Sequence, residues 1–392
     1  MNNKFQKFPS WPSFNEEQIE IISSILRDGK VNYWTGSEGE NFEKEFASYC
    51  GTSYSVAMAN GSVALTAAYE AIGISPGDEI IMTPRTFIAT ASSAVLLGAK
   101  PVFVDIDEDS GCIDVNLVER LISKKTKAIS VVHLGGWPAD LNKLCRLAEA
   151  FNLKIIEDCS QAHGAKLNGK SVGSFGDIAT WSFCQDKIIT TGGEGGMITT
   201  SDKNLWERIW SYKDHGKDYK TVFKEHPPGF RWLHKSFGTN FRMTEMQSAI
   251  GRYQLSKLDK WISLREKNSM ILAKGLSDLE ILRVPLPKQN IQCAWYKFYV
   301  YIKPNLLKEE WSRDRIISHL SDQDIPVFSG SCSEIYLEEC FKTSGLAPKK
   351  RLPVAKRLGE TSLMFLVHPT LSKSNMEYYL EKSYECIKNA SK

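Results

Sequence analysis

Lys187 is the residue whose surroundings most invite chemistry. It stands in Trp181-Ser-Phe-Cys-Gln-Asp-Lys-Ile-Ile-Thr-Thr-Gly-Gly-Glu-Gly-Gly196, between apolar strand-like segments at 178–183 and 197–199. Most of the 49 lysines and arginines must be solvated surface, but this one runs into a glycine cluster that a surface helix would not choose. It is expected to be a buried amine, whose neutral form can serve as nucleophile and base toward a carbonyl. Asp158 closes the apolar run Leu153-Lys-Ile-Ile-Glu-Asp158, with Gln161 just beyond. A carboxylate there can hold a protonated ring nitrogen and Gln161 a ring substituent; a capping or turn aspartate accounts for Asp158 equally well. In Ala59-Asn-Gly-Ser-Val-Ala-Leu65 a strand gives way to a helix. Gly61 lets the backbone approach a ligand, and the free amides of the helix start suit a phosphate. Ser62 adds a hydroxyl or simply caps the helix. Ser182 can donate to the same phosphate or to backbone. The Gly192-Gly-Glu-Gly-Gly196 run lacks the Gly-x-x-x-x-Gly-Lys-Ser/Thr spacing of a nucleotide phosphate loop and reads as tight turns instead.

These residues need a scaffold. Apolar runs at 54–59, 79–82, 101–105, 128–133, 153–157, 178–183 and 197–200 alternate with helical stretches at 64–72, 88–97, 115–123 and 141–151. Such alternation predicts an α/β fold with a mostly parallel sheet and helices on both faces. Ligands in such sheets sit beyond the carboxyl ends of the strands, where the residues above fall. After Arg242 the pattern changes to a long charge-laced helix over 243–276, with Gly251 and Gly275 as its only punctuation. Short segments at 282–284, 297–302, 312–321 and 375–387 follow. At 392 residues the chain exceeds one core, so two domains are expected. They are a large domain over 1–250 with an N-terminal segment, and a smaller C-terminal α+β domain over 251–392 that includes the connecting helix.

Composition narrows the class. A net charge of +3 argues for neither nucleic-acid nor membrane partners. No apolar run reaches the roughly 18 residues of a spanning helix. Met1-Asn-Asn-Lys-Phe-Gln-Lys7 leads into no apolar segment, so no leader is expected. Nine scattered cysteines without Cys-x-x-Cys spacing suit a reduced, cytoplasmic chain with no metal site.

An amine nucleophile, a carboxylate for a pyridinium nitrogen and a phosphate cradle are the three needs of pyridoxal phosphate (PLP). Their order along the chain resembles that of fold-type-I PLP enzymes. More specifically, the chain resembles the sugar-nucleotide aminotransferases of the StrS/DegT family over essentially its whole length. The resemblance rests on the phosphate turn, Pro84-Arg-Thr-Phe-Ile-Ala-Thr90, Gly98-Ala-Lys-Pro-Val-Phe-Val-Asp-Ile-Asp107, Val132-His-Leu-Gly-Gly-Trp-Pro-Ala-Asp140, Glu157-Asp-Cys-Ser-Gln-Ala-His-Gly164, the segment 182–196 and Phe237-Gly-Thr-Asn-Phe-Arg-Met-Thr-Glu245.

The resemblance implies roles. Gly61, Ser62 and Ser182 would bind the cofactor phosphate, Phe87 would stack on the ring, Asp158 would pair with its nitrogen and Gln161 would contact its oxygen side. Lys187 would hold the cofactor covalently. Asn240 would reach the phosphate of a neighbouring subunit and Arg242 would line a shared cleft, which implies a homodimer with composite sites. Tyr33, His215, Ser331 and His368 would lie toward the substrate; His133 and His163 are expected to be structural. L-glutamate would load the amino group, passing through pyridoxamine 5'-phosphate, and a keto sugar nucleotide would accept it. A branch of the family that dehydrates sugars carries histidine at the lysine position, so Lys187 favours transamination. The segments at 325–336 and 365–370 most resemble enzymes acting on dTDP-4-keto-6-deoxy-D-glucose to give dTDP-4-amino-4,6-dideoxy-D-glucose for O-antigen (lipopolysaccharide) or other surface glycans. Amination at C3, or of GDP- or UDP-sugars, would use the same core. Two other readings stay open. One is a different PLP reaction with Arg313, Arg315 or Arg351 holding a substrate carboxylate. The other is a non-catalytic regulator on the same fold.

Overall fold

The computed structural model describes residues 8–392. The first seven residues, where no leader is expected, lie outside the described residues. Seven strands form the main sheet, in the order Tyr54–Met58, Gly196–Thr200, Ile178–Ser182, Lys154–Asp158, Thr126–Val132, Glu79–Met82, Lys100–Phe103. Every neighbouring pair is parallel except the two that involve Gly196–Thr200, which runs antiparallel to Tyr54–Met58 and Ile178–Ser182. The near-continuous apolar runs of the central strands follow from this, because both faces are covered. One face packs Ile81, Ile129 and Ile155 against Phe42, Phe46, Leu144 and Leu258. The other packs Val56, Ile80 and Ile156 against Ala64, Ala68, Ala91 and Ile209.

One expected helix is absent. Residues 115–123 form two 3-10 turns, Val115–Leu117 and Glu119–Leu121, rather than an α-helix. Asp114 caps the first turn through Asn116 N–H, and Ile122 is already extended. So short a segment, with β-branched residues at 115, 118 and 122, gains too little to nucleate an α-helix.

The long helix is present as Glu245–Leu276, started by a capping box between Thr244 and Gln247. It runs unbroken through residues 250 and 251. Leu258 and Ile262 belong to the core under the main sheet, while Leu272 and Leu276 belong to a second core. That second core lies under an antiparallel sheet of Leu282–Arg283, Phe298–Ile302, Ser362–Phe365 and Val327–Phe328, backed by helices Arg313–Asp322 and Lys373–Ala390. Among the described residues, no helix is long and apolar enough to cross a membrane. All nine cysteines are free.

Candidate active site

A cavity of about 640 Å³ opens at the carboxyl edge of the main sheet. Gly61, Ser62, Phe87, Asp158, Gln161, Ser182, Lys187 and Ser331 all line it. Strand ends deliver Asp158 and Ser182, since both are the last residues of their strands. Helix Gly61–Ala71 aims its N-terminus at the same space, with Asn60 as its cap: the side chain accepts from Val63 N–H at 3.0 Å. Asn60 therefore does the capping, and Ser62 stands inside the first turn. The first amides of a helix have no intrahelical partner, and the macrodipole adds positive character there. Gly61 cannot be larger: a Cβ would lie 2.7 Å from Ser182 Cβ. Gly196 is equally constrained, since its Cβ would fall 2.4 Å from Asn60 O. The glycine run thus lets the returning strand press against the phosphate-type turn.

Asp158 is held in place at the floor of the cavity. Its Oδ2 accepts from Thr90 Oγ1 at 2.8 Å and its Oδ1 from Ser160 N–H at 3.1 Å. Thr86 Oγ1 lies 2.9 Å from Thr90 Oγ1, so a short chain of hydroxyls holds the carboxylate in place. Gln161 Oε1 accepts from Gly135 N–H at 2.7 Å, which leaves the NH₂ group for the cavity. Gly135 has φ 63°, a conformation that favours glycine.

Lys187 is half-buried. Its amide donates to Cys184 O at 3.1 Å, and its carbonyl accepts from Trp11 Nε1 at 2.8 Å. The ammonium stands 5.1 Å from the ring centroid of Tyr296. Tyr296 Oη donates to Asp186 Oδ2 at 2.5 Å, and Lys297 Nζ is 3.6 Å from the same carboxylate. Burial opposes ionisation of Asp186, but the charges of Lys297 and Lys187 and the tyrosine hydrogen bond outweigh it, holding the carboxyl below the usual range.

Other expected residues do not reach this cavity within one chain. Tyr33 is buried, donates to Glu43 at 3.1 Å and covers Lys213. Asn240, Arg242 and His215 gather elsewhere. Arg242 Nη1 donates to Asp214 Oδ1 at 2.8 Å, Asp214 bridges to Asn240, and His215 N–H donates to Thr239 O. His368 lines a neighbouring cavity, with Nδ1 2.7 Å from Thr370 Oγ1. His163 is packed between Trp181 and Phe183, and burial together with the nearby Lys187 and Arg265 charges lowers its pKa to about 3. His133, Glu157 and Cys159 lie close enough to suggest a metal, but the ligand atoms of His133 and Glu157 are engaged. Glu157 accepts from the amides of Gly173, Phe175 and Gly176 and faces His133 Nε2, while His133 Nδ1 accepts from Ala139 N–H. Sequence reasoning missed Thr86, Thr90, Asp186 and Tyr296 as cavity residues. The two threonines were within a quoted motif; nothing local marks Tyr296.

The fold and the cavity define a fold-type-I, PLP-dependent aminotransferase. Residues 12–382 match the DegT/DnrJ/EryC1/StrS aminotransferase family, and the chain belongs to it. It is 34% identical to GDP-perosamine synthase of Escherichia coli O157:H7, over 95% of this chain and 96% of that one. It is 33% identical to dTDP-3-amino-3,4,6-trideoxy-alpha-D-glucose transaminase of Streptomyces venezuelae, over 93% and 90%. The crystal structure of an aminotransferase from Psychrobacter cryohalolentis matches with a TM-score of 0.96 at 49% identity, over 98% of this chain and 99% of that one.

Proposed function

We propose that the protein transfers an amino group from L-glutamate to a keto sugar nucleotide, with dTDP-4-keto-6-deoxy-D-glucose as acceptor and dTDP-4-amino-4,6-dideoxy-D-glucose as product. The observation that carries this reading is the convergence of Lys187, Asp158 and a helix N-terminus on one cavity. The residues fit the cofactor. The phosphate would sit against the N-terminus of helix Gly61–Ala71, beside Ser62 and Ser182, which line the cavity there. Asp158, held by Thr90, would pair with the ring nitrogen; Phe87 at the mouth would cover the ring and Gln161 its oxygen side. When bound, PLP takes up the electron pair left as a proton departs from the donor carbon. Lys187 would hold the cofactor covalently, then, freed by the donor amine, carry that proton. A carboxylate at Asp158 would favour a proton on that nitrogen. The return half runs the same steps toward the sugar, with Ser331 on the small-domain side of the cavity.

Within the chain, Phe87, Phe230, Trp232 and Phe237 are 69%, 77%, 84% and 100% exposed. A second copy covering such rings would form a homodimer, and Asn240 and Arg242 would complete the partner's cavity. We place the enzyme in the cytoplasm, in O-antigen or other surface-glycan synthesis. The arginines considered for a substrate carboxylate do not serve that end. Arg313 Nη1 donates to Gly359 O and Ser362 O, Arg315 to Glu310 O, and Arg351 pairs with Glu334. A GDP-linked acceptor is the second reading, favoured by the relative named GDP-perosamine synthase.

The test is a panel of dTDP-, GDP- and UDP-linked 4-keto and 3-keto sugars with L-glutamate, read by mass spectrometry. The wild type should aminate the dTDP-linked 4-keto sugar. Lys187→Ala should abolish both turnover and the visible absorbance of the lysine-bound cofactor. Amination of ordinary 2-oxo acids alone would overturn the proposal.

A further inference from the structure

Behind Tyr296 lies a second cavity, of about 320 Å³, walled by the N-terminal stretch from Phe8 to Trp11 and by Arg265, Lys297 and His368. Asp186 and Tyr296 line both cavities. Arg265, on the long helix, is 1% exposed. Its Nη1 donates to Trp295 O and Tyr296 O at 3.3 Å each, and its Cζ lies 5.3 Å from the Trp11 ring. Its Nε and Nη2 are buried and have no hydrogen-bond partner among the described residues. These two atoms form the side-on edge of the guanidinium, the edge that takes a carboxylate in two parallel hydrogen bonds. A buried donor pair left open is costly, more so on a charged group.

The charge around the cavity is unbalanced. Lys297 and Arg265 face one acidic group, Asp186, which already accepts from Tyr296 and meets Lys297. His368 is neutral there, since burial and the charges of Arg265 and Lys297 push its pKa down to about 3. Thr370 is spent on His368 Nδ1 and on Ser10 O. No carboxylate other than Asp186 lines the cavity among the described residues.

We propose that this cavity is a carboxylate-binding site, and that Arg265 and Lys297 there hold the distal carboxylate of a dicarboxylic amino donor whose amine reaches the Lys187 side. The assignment rests on the aminotransferase reading and adds donor selection to it. Tyr296 and Asp186 form the shared wall, so a ligand spanning the two cavities passes along them.

The test uses the PLP-loaded enzyme and glutarate, a dicarboxylate that has no amine to transfer. Calorimetry should show glutarate binding to the wild type, weakened at least about tenfold in Lys297→Gln and in Arg265→Lys. In stopped-flow donor half-reactions, half-saturation for L-glutamate should rise at least about tenfold more than for the monocarboxylate L-norvaline. Unchanged glutarate affinity in both variants, an equal shift for both donors, or equal binding of sulfate would each overturn the proposal. If Arg265→Lys loses the wild-type circular dichroism spectrum, Lys297→Gln decides alone. Heat of glutarate binding is read without turnover, so a wrong sugar acceptor leaves this result standing.

Discussion

At the scale of single residues, Lys297 ties charge to stability. Burial pushes its pKa down from 10.5 to about 8, with Asp186 opposing and Arg265 and Lys187 adding to the depression. The unfolded chain therefore holds this proton between pH 8 and 10.5 while the folded protein has released it, and stability rises with pH across that window. In urea melts of the unliganded enzyme, the unfolding free energy of the wild type should gain on the order of 2 kcal/mol on Lys297→Met from pH 8 to 10.5. A difference that stays flat with pH would show that the ammonium is solvated. Legibility in the sequence divides along the same line. Asp158, Gly61 and Ser182 were readable as cavity residues because each sits at a strand end or helix start, and Lys187 because it runs into a glycine cluster between two strands. Arg265 and Lys297 were not, because an arginine in the middle of a charge-laced helix looks solvated until tertiary packing turns it inward.

At the scale of elements, the long helix carries a lesson about glycine. Gly251 and Gly275 read in the sequence as punctuation, yet Glu245–Leu276 passes through both without a break. They are places of close approach: a Cβ on Gly251 would come within 2.5 Å of Phe42 Cζ, and one on Gly275 within 2.4 Å of Leu380 Cδ2. Alanine would raise helix propensity by up to about 1 kcal/mol at either site. Overpacking against the fully buried Phe42 ring costs more, so Gly251→Ala should destabilise by about 1–3 kcal/mol, measured by denaturant melts. A stabilised variant would mean that the ring yields freely. The seven strands of the main sheet were read to within about two residues at either end, since a sheet covered on both faces prints apolar runs that need no context. The short strands of the smaller sheets, such as Val327–Phe328 and Ser362–Phe365, were not. The stretch at 115–123 failed because its apolar spacing satisfies a helical period while its length and branching favour tighter turns.

At the scale of the whole molecule, the residues that fail to reach the cavity are as informative as those that do. Asn240 and Arg242 lie beside Asp214, apart from Lys187, in a region that also presents Phe230, Trp232 and Phe237 to solvent. Where the proposed homodimer shares its sites, Lys187→Ala and Asn240→Ala preparations, each deficient alone, should regain activity when unfolded together and refolded. Mixed dimers then carry one site free of both substitutions. Sedimentation should show a dimer for each variant, and absence of regained activity would place Asn240 outside the neighbour's site. Composition and periodicity alone cannot show such sharing; in the sequence it was expected only from the family resemblance.

Trp11 donates its indole N–H to the carbonyl of Lys187 and lays its ring over Arg265. The front of the chain is thereby bolted to the reactive loop, far away in sequence. Proteolytic trimming through Trp11 would leave every catalytic side chain in place yet loosen the main chain that carries the amine.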